Sequence, residues 1–98
     1  MLTVEGRTSR GEVLLRVVAH PSFNPVLFEV DPVRFPLLAG IDPYDDTFFN
    51  SLQVKRLLLE IDSYDTNRGE WEVFLPEFLA VCREVLARPH RFLRFVGD

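Results

Sequence analysis

The sequence predicts an α+β fold: a mainly antiparallel four-stranded sheet in β-β-β-α-α-β order, with two helices packed on one face. Three observations carry that expectation. The first forty residues are short apolar runs broken by glycine and proline, two later stretches repeat apolar residues at helical spacing, and the C-terminal stretch alternates Phe92, Arg94 and Val96 against Leu93 and Phe95. Ninety-eight residues with 47% hydrophobic content fit a single domain, 1–98, because a chain this short has material for one core only. Nine Phe supply much of that core, since aromatic side chains bury the most area per residue.

Residues 2–5 and 12–19 read as strands joined through Gly6-Arg7-Thr8-Ser9-Arg10-Gly11, whose glycines and small polar residues are hairpin punctuation. The second strand is apolar on both faces apart from Arg16, which suits a central position. Pro21 and Pro25 break the chain, and Val26, Phe28 and Val30 alternate with Leu27 and Glu29 as a third strand over 26–30. From 31 to 40, Pro32 and Pro36 argue against regular helix, while Val33, Phe35, Leu37 and Leu38 ask for burial.

The first helix is expected to start near Asp46 or Thr47, either of which can serve as N-cap, and to run to about Ser63. Val54, Leu57, Leu58 and Ile61 form its buried stripe, with Glu60 elsewhere on the circumference. Phe48, Leu52 and Leu59 widen the stripe, and a neighbouring helix is expected to cover the surplus, with an oligomer partner as the alternative. Residues 64–72, YDTNRGEWE, are polar enough to form a loop. Pro76 fits a helical first turn, so the second helix is expected over 75–88, burying Phe78, Leu79, Cys82, Val85 and Leu86 before Pro89 stops it. Residues 91–96 close the sheet.

Net charge is −4, unevenly placed: residues 1–40 balance, 41–77 carry a local −6, and 78–98 a local +2. An acidic middle repels phosphate backbones, which argues against nucleic acid and suits a cationic protein, a metal or plain solubility. No apolar run is long enough to span a bilayer and the N-terminal residues are too polar for a signal peptide, so the cytoplasm is the expected location and no membrane partner is expected. A lone cysteine agrees with a reducing compartment.

Candidate chemistry concentrates in IDPYDDTFFN, residues 41–50. Asp42, Asp45 and Asp46 are hard oxygen ligands that a divalent cation could share, which would make a metal-dependent hydrolase. A turn opened by Asp42-Pro43 and a helix cap at Asp46 or Thr47 account for the same residues without metal, so neither metal nor cofactor is expected. The segment from Asp65 fails as a calcium loop, because Gly69 falls at the fifth place and Pro76 stands where the bidentate Glu is required. Cys82 lies on an apolar helical stripe, and His20 and His90 have no ligand-spaced companion. No glycine-rich phosphate loop or nucleophile elbow is present. Catalysis is therefore not expected. The residues best suited to a partner are Asp42, Asp45, Asp46, Asp65, Glu70 and Glu72, whose charge would steer a basic protein, with Tyr64 and Trp71 as aromatic anchors. For Trp71 the competing expectation is burial with Phe74 and Leu75. In size and charge the chain is similar to small acidic immunity or antitoxin proteins that neutralise a basic toxin; a structural homodimer is the alternative.

Overall fold

The computed structural model describes residues 2–19, 27–64 and 69–97, the side chains of Gly69 and Glu70 excepted. Seven elements are described: β1 (Thr3–Thr8), β2 (Val13–Val18), a short α1 (Pro36–Ala39), β3 (Thr47–Asn50), α2 (Ser51–Ser63), α3 (Gly69–Leu86) and β4 (Arg91–Val96). The strands form one antiparallel sheet in the order β2-β1-β4-β3, and both long helices lie on one face. The expected β-β-β-α-α-β order therefore holds, with α1 interposed. No described helix is long and apolar enough to cross a membrane.

The third strand is not where alternation placed it. Leu27 and Phe28 sit in a helical turn, Val26 lies outside the described residues, and the strand is Thr47–Asn50 instead. Thr47 and two phenylalanines suit a pleated surface: Phe49 packs into the core while Phe48 faces outward, and Phe49 stands opposite Leu93. The helix that was expected at Asp46 or Thr47 starts at Ser51, because Asn50 and Gln53 form a reciprocal capping box. Asn50 Oδ1 accepts the Gln53 N–H at 2.9 Å, and Gln53 Oε1 accepts the Asn50 N–H at 2.9 Å.

The second long helix also begins elsewhere than predicted, at Gly69, so Pro76 lies inside it. Trp71, Phe74 and Phe78 extend the buried stripe of Val81, Cys82 and Val85 by two turns. Their burial offsets the backbone bond that Pro76 cannot donate, and Pro76 itself faces solvent. In the segment where prolines argued against helix, Pro36 opens α1. Glu60 of α2 caps it across space, its carboxylate accepting the Leu37 N–H at 3.1 Å and the Leu38 N–H at 3.0 Å. Phe48 lies on β3 instead of on the helix, and Leu52 and Leu59 of α2 remain exposed, covered by no described helix.

The core lies between sheet and helices, where Leu2, Val4, Leu93 and Phe95 meet Val54, Leu57, Phe78 and Val85. Gly6 brings α3 close to the sheet: a Cβ there would lie 3.3 Å from Val85 Cγ2. Gly6→Val should therefore overpack this contact and destabilise the fold by about 1–3 kcal/mol in urea unfolding; an unchanged midpoint would show that α3 does not rest on Gly6.

Candidate functional site

Thr47 pairs with Phe95, which places the 42–46 turn at the end of the sheet where β4 finishes. Ile41 and Pro43 are buried and pin the turn, while Asp42, Tyr44, Asp45 and Asp46 are exposed. Gly97 packs flat against it, since a Cβ at that position would lie 2.6 Å from the Tyr44 carbonyl carbon. Only glycine permits that approach.

The three aspartates do different things. Asp42 accepts the Tyr44 N–H at 2.9 Å and donates its own N–H to Thr47 Oγ1 at 3.1 Å. Asp45 accepts the Asp46 N–H at 2.8 Å. Asp46 pairs with Arg94 at 2.6 Å, and this hydrogen bond raises the Arg94 pKa above its already high ordinary value. Among the described residues no three His, Cys, Asp or Glu side chains come together as a metal site. A cation at Asp46 would also have to displace a guanidinium.

The turn carries an aromatic pair that the sequence reading did not single out. Tyr44 and Phe28 are 63% and 64% exposed, and their rings meet tilted at 5.9 Å. Tyr44 had a usable signal: it follows Pro43 at the tip of a turn whose other apolar residues turn inward. Phe28 had none, because its alternation with neighbouring apolar residues imitates a strand.

Tyr64 and Trp71, the aromatic anchors expected of a partner surface, sit inward. Trp71 is 1% exposed, and half-buried Tyr64 stands edge-on to Phe35 at 5.1 Å and tilted against Trp71 at 5.8 Å. Trp71 thus belongs to the core, as does Phe74. Glu72 is exposed; Asp65 and the Glu70 side chain lie outside the described residues. Arg91 donates to the Glu84 carbonyl at 2.6 Å, tying the last turn of α3 to the start of β4. The first turn of α3, with Glu72, accordingly points toward the end of the sheet that holds the turn.

The sheet face turned away from the helices carries a second charged cluster. Glu5, 3% exposed, stands opposite Arg16 on one side and Arg94 on the other. Arg16 reaches Glu5 Oε2 through Nε at 2.7 Å, while Arg7 and Arg94 stand 3.6 and 3.7 Å from Oε1. Arg94 also lies over the Phe48 ring at 5.6 Å. Arg91 and Arg94 project from opposite faces of β4, and both are engaged in ion pairs, so they do not form a common basic patch.

Cys82 is fully buried, and burial pushes its thiol up to about 12 against a smaller opposing effect of Arg83. Such a thiol is not a nucleophile at neutral pH. His20 lies outside the described residues; His90 is exposed just beyond α3, with φ 62°.

Fold and site together define a small two-layer α+β protein with an acidic, aromatic turn exposed at one end of the sheet. No protein family matches the chain, and no curated protein or solved structure is similar to it.

The buried thiol has a pH consequence. Above about pH 8.5 the unfolded thiol loses its proton while the folded one keeps it, so Cys82 lowers stability progressively toward about pH 12. Cys82→Ala should cost stability at neutral pH, and its deficit should shrink between about pH 8 and pH 10 in denaturant titrations. A deficit independent of pH would contradict this.

Proposed function

We propose that this chain is a small, acidic, non-catalytic protein-binding module of the immunity or antitoxin kind, working in the cytoplasm by neutralising a basic partner. The observation that carries the reading is the exposed Phe28–Tyr44 pair, flanked by Asp42 and Asp45. Among the described residues both carboxylates hold only backbone N–H groups, which leaves their charge uncancelled. Carboxylates around an aromatic anchor speed the approach of a cationic surface, and the aromatic rings then supply the desolvated contact. Tyr brings that area at low entropic cost, having few rotatable bonds. Glu72, at the same end of the molecule, adds to the steering field. Asp46 contributes less, since Arg94 neutralises it at 2.6 Å.

The partner to test is a basic protein encoded beside this gene, its binding followed by calorimetry and stopped-flow fluorescence at several salt concentrations. Tyr44→Ala should cost about 2 kcal/mol, a loss of roughly thirtyfold in affinity. Asp42→Lys combined with Asp45→Lys should slow association and flatten its salt dependence. Affinity and association rate unaltered in both variants would refute the contact.

A further inference from the structure

The end of the sheet opposite the 42–46 turn is made of two connections, the β1–β2 hairpin and the turn from α3 into β4. The pairing of Thr8 with Arg91 brings them together. Between them lies a cleft of about 250 Å³, into which the hairpin sends Thr8, Arg10 and Glu12 and the turn sends Arg88 and Arg91. Both walls are fixed by bonds that leave donors free. The Gly11 N–H bonds to the Thr8 carbonyl at 2.9 Å and Thr8 Oγ1 accepts the Glu12 N–H at 3.1 Å, so the Thr8 hydroxyl proton remains to be donated. On the other wall, Arg91 holds the carbonyl and the carboxylate of Glu84 through Nη1 alone, at 2.6 and 3.2 Å. The neighbouring His90 adopts φ 62°, a left-handed conformation uncommon outside glycine.

Three guanidiniums share this small volume, and among the described residues Arg10 and Arg88 make no hydrogen bond and no ion pair. Arg91 keeps Nε and Nη2 for a further acceptor, and its bond to Glu84 orients it. Glu12 is the one carboxylate of the lining. With Arg91 already paired, Arg10 and Arg88 together outweigh Glu12 by one charge. The negative end of α3 also lies nearby, but Arg91 covers the Glu84 carbonyl there. The cleft is therefore a positive site on a chain whose net charge is −4.

We propose that this cleft binds a small phosphate monoester that also carries a hydroxyl group, such as a phosphorylated sugar. The phosphate sits among Arg10, Arg88 and Arg91 and receives the Thr8 hydroxyl proton in a hydrogen bond. Planar guanidinium forks match a phosphate from several directions at once, because its oxygens are arranged tetrahedrally. A flat carboxylate cannot use all three. Glu12 selects the remainder of the ligand: its carboxylate accepts a hydroxyl and repels a second anionic group. A nucleic-acid strand fits poorly, since the acidity of the rest of the chain repels a long polyanion that a compact cleft cannot enclose. The 42–46 turn lies at the other end of the sheet, so the two sites work independently.

The test is titration of the full chain with ribose 5-phosphate, inorganic phosphate and a single-stranded oligonucleotide, each compared with sodium chloride of the same ionic strength. The amide resonances of Ser9, Arg10 and His90, all in the lining, report on the site. Ribose 5-phosphate should shift them saturably and bind more tightly than inorganic phosphate, while chloride leaves them in place. Arg10→Gln and Arg88→Gln break no bond of the fold, and each should weaken binding about tenfold with the native spectrum kept. Lys55→Gln, which removes an exposed base of α2 outside the cleft, should change nothing. Glu12→Ala should strengthen the binding of inorganic phosphate and erase the preference for the sugar. Shifts that chloride reproduces, or that never saturate, overturn the inference. So do arginine variants no weaker than Lys55→Gln, a preference that survives Glu12→Ala, and an oligonucleotide bound more tightly than ribose 5-phosphate. The titration needs no protein partner, so its failure is separate from a failure of the Tyr44 contact.

Discussion

The pairing of β1 with β4 is the constraint on which the rest of the structure depends. Six positions, from Thr3 opposite Val96 to Thr8 opposite Arg91, join the first strand of the chain to the last. Closing so long a loop costs entropy that only a dense set of contacts offsets. They are present: Val4 and Phe95 are opposed within the core, and so are Gly6 and Leu93. On the other face the ladder is fastened by charge. Arg16, Glu5, Arg94 and Asp46 alternate in sign from β2 to the turn before β3. Burying Glu5 costs desolvation energy, and three surrounding guanidiniums offset that cost.

With the two termini of the fold at its centre, everything else is an arm attached to one side or the other. β2 hangs on β1 through a hairpin whose bend is made by Gly11 at φ 86°, a left-handed conformation open to glycine. β3 hangs on β4 and carries the acidic turn, held in place by the flat surface of Gly97 and by Arg94. The helices share the remaining face, α3 resting on Gly6 and α2 on Phe49 and Leu93. Each outer strand thereby acquires its own character: β3 presents aromatic and acidic side chains at its start, and β2 presents an edge guarded by a β-bulge at Leu14.

The element order was legible because it depends on hydrophobic periodicity, which the long helices and β4 display over many residues. What escaped the sequence reading were short elements decided by tertiary contact. TFFN resembles a helix entrance until Phe95 and Leu93 are known to lie beside it. The Asn50–Gln53 capping box could have been found, and it would have moved the helix start to the correct residue. Pro76 misplaced the start of α3, because a proline in a helix is tolerated only when packing such as that of Trp71 and Phe74 demands it. Glu60 looked like a solvated position, yet it caps α1 from a distance in sequence that no local rule detects. In the candidate site the acidic turn was legible from its composition. Its aromatic partner was not, since Phe28 reaches Tyr44 only through the fold.

Native-state hydrogen exchange along a denaturant gradient tests the primacy of the β1·β4 ladder most directly, because it reads the opening energy of each segment separately. Amides shared between β1 and β4 should exchange only through global unfolding and report the full stability of the domain. Those of β3 and the 42–46 turn should open at lower energy. If the β1·β4 amides opened before those of α2 and α3, the ladder would be a late addition to a helical core, contradicting the account.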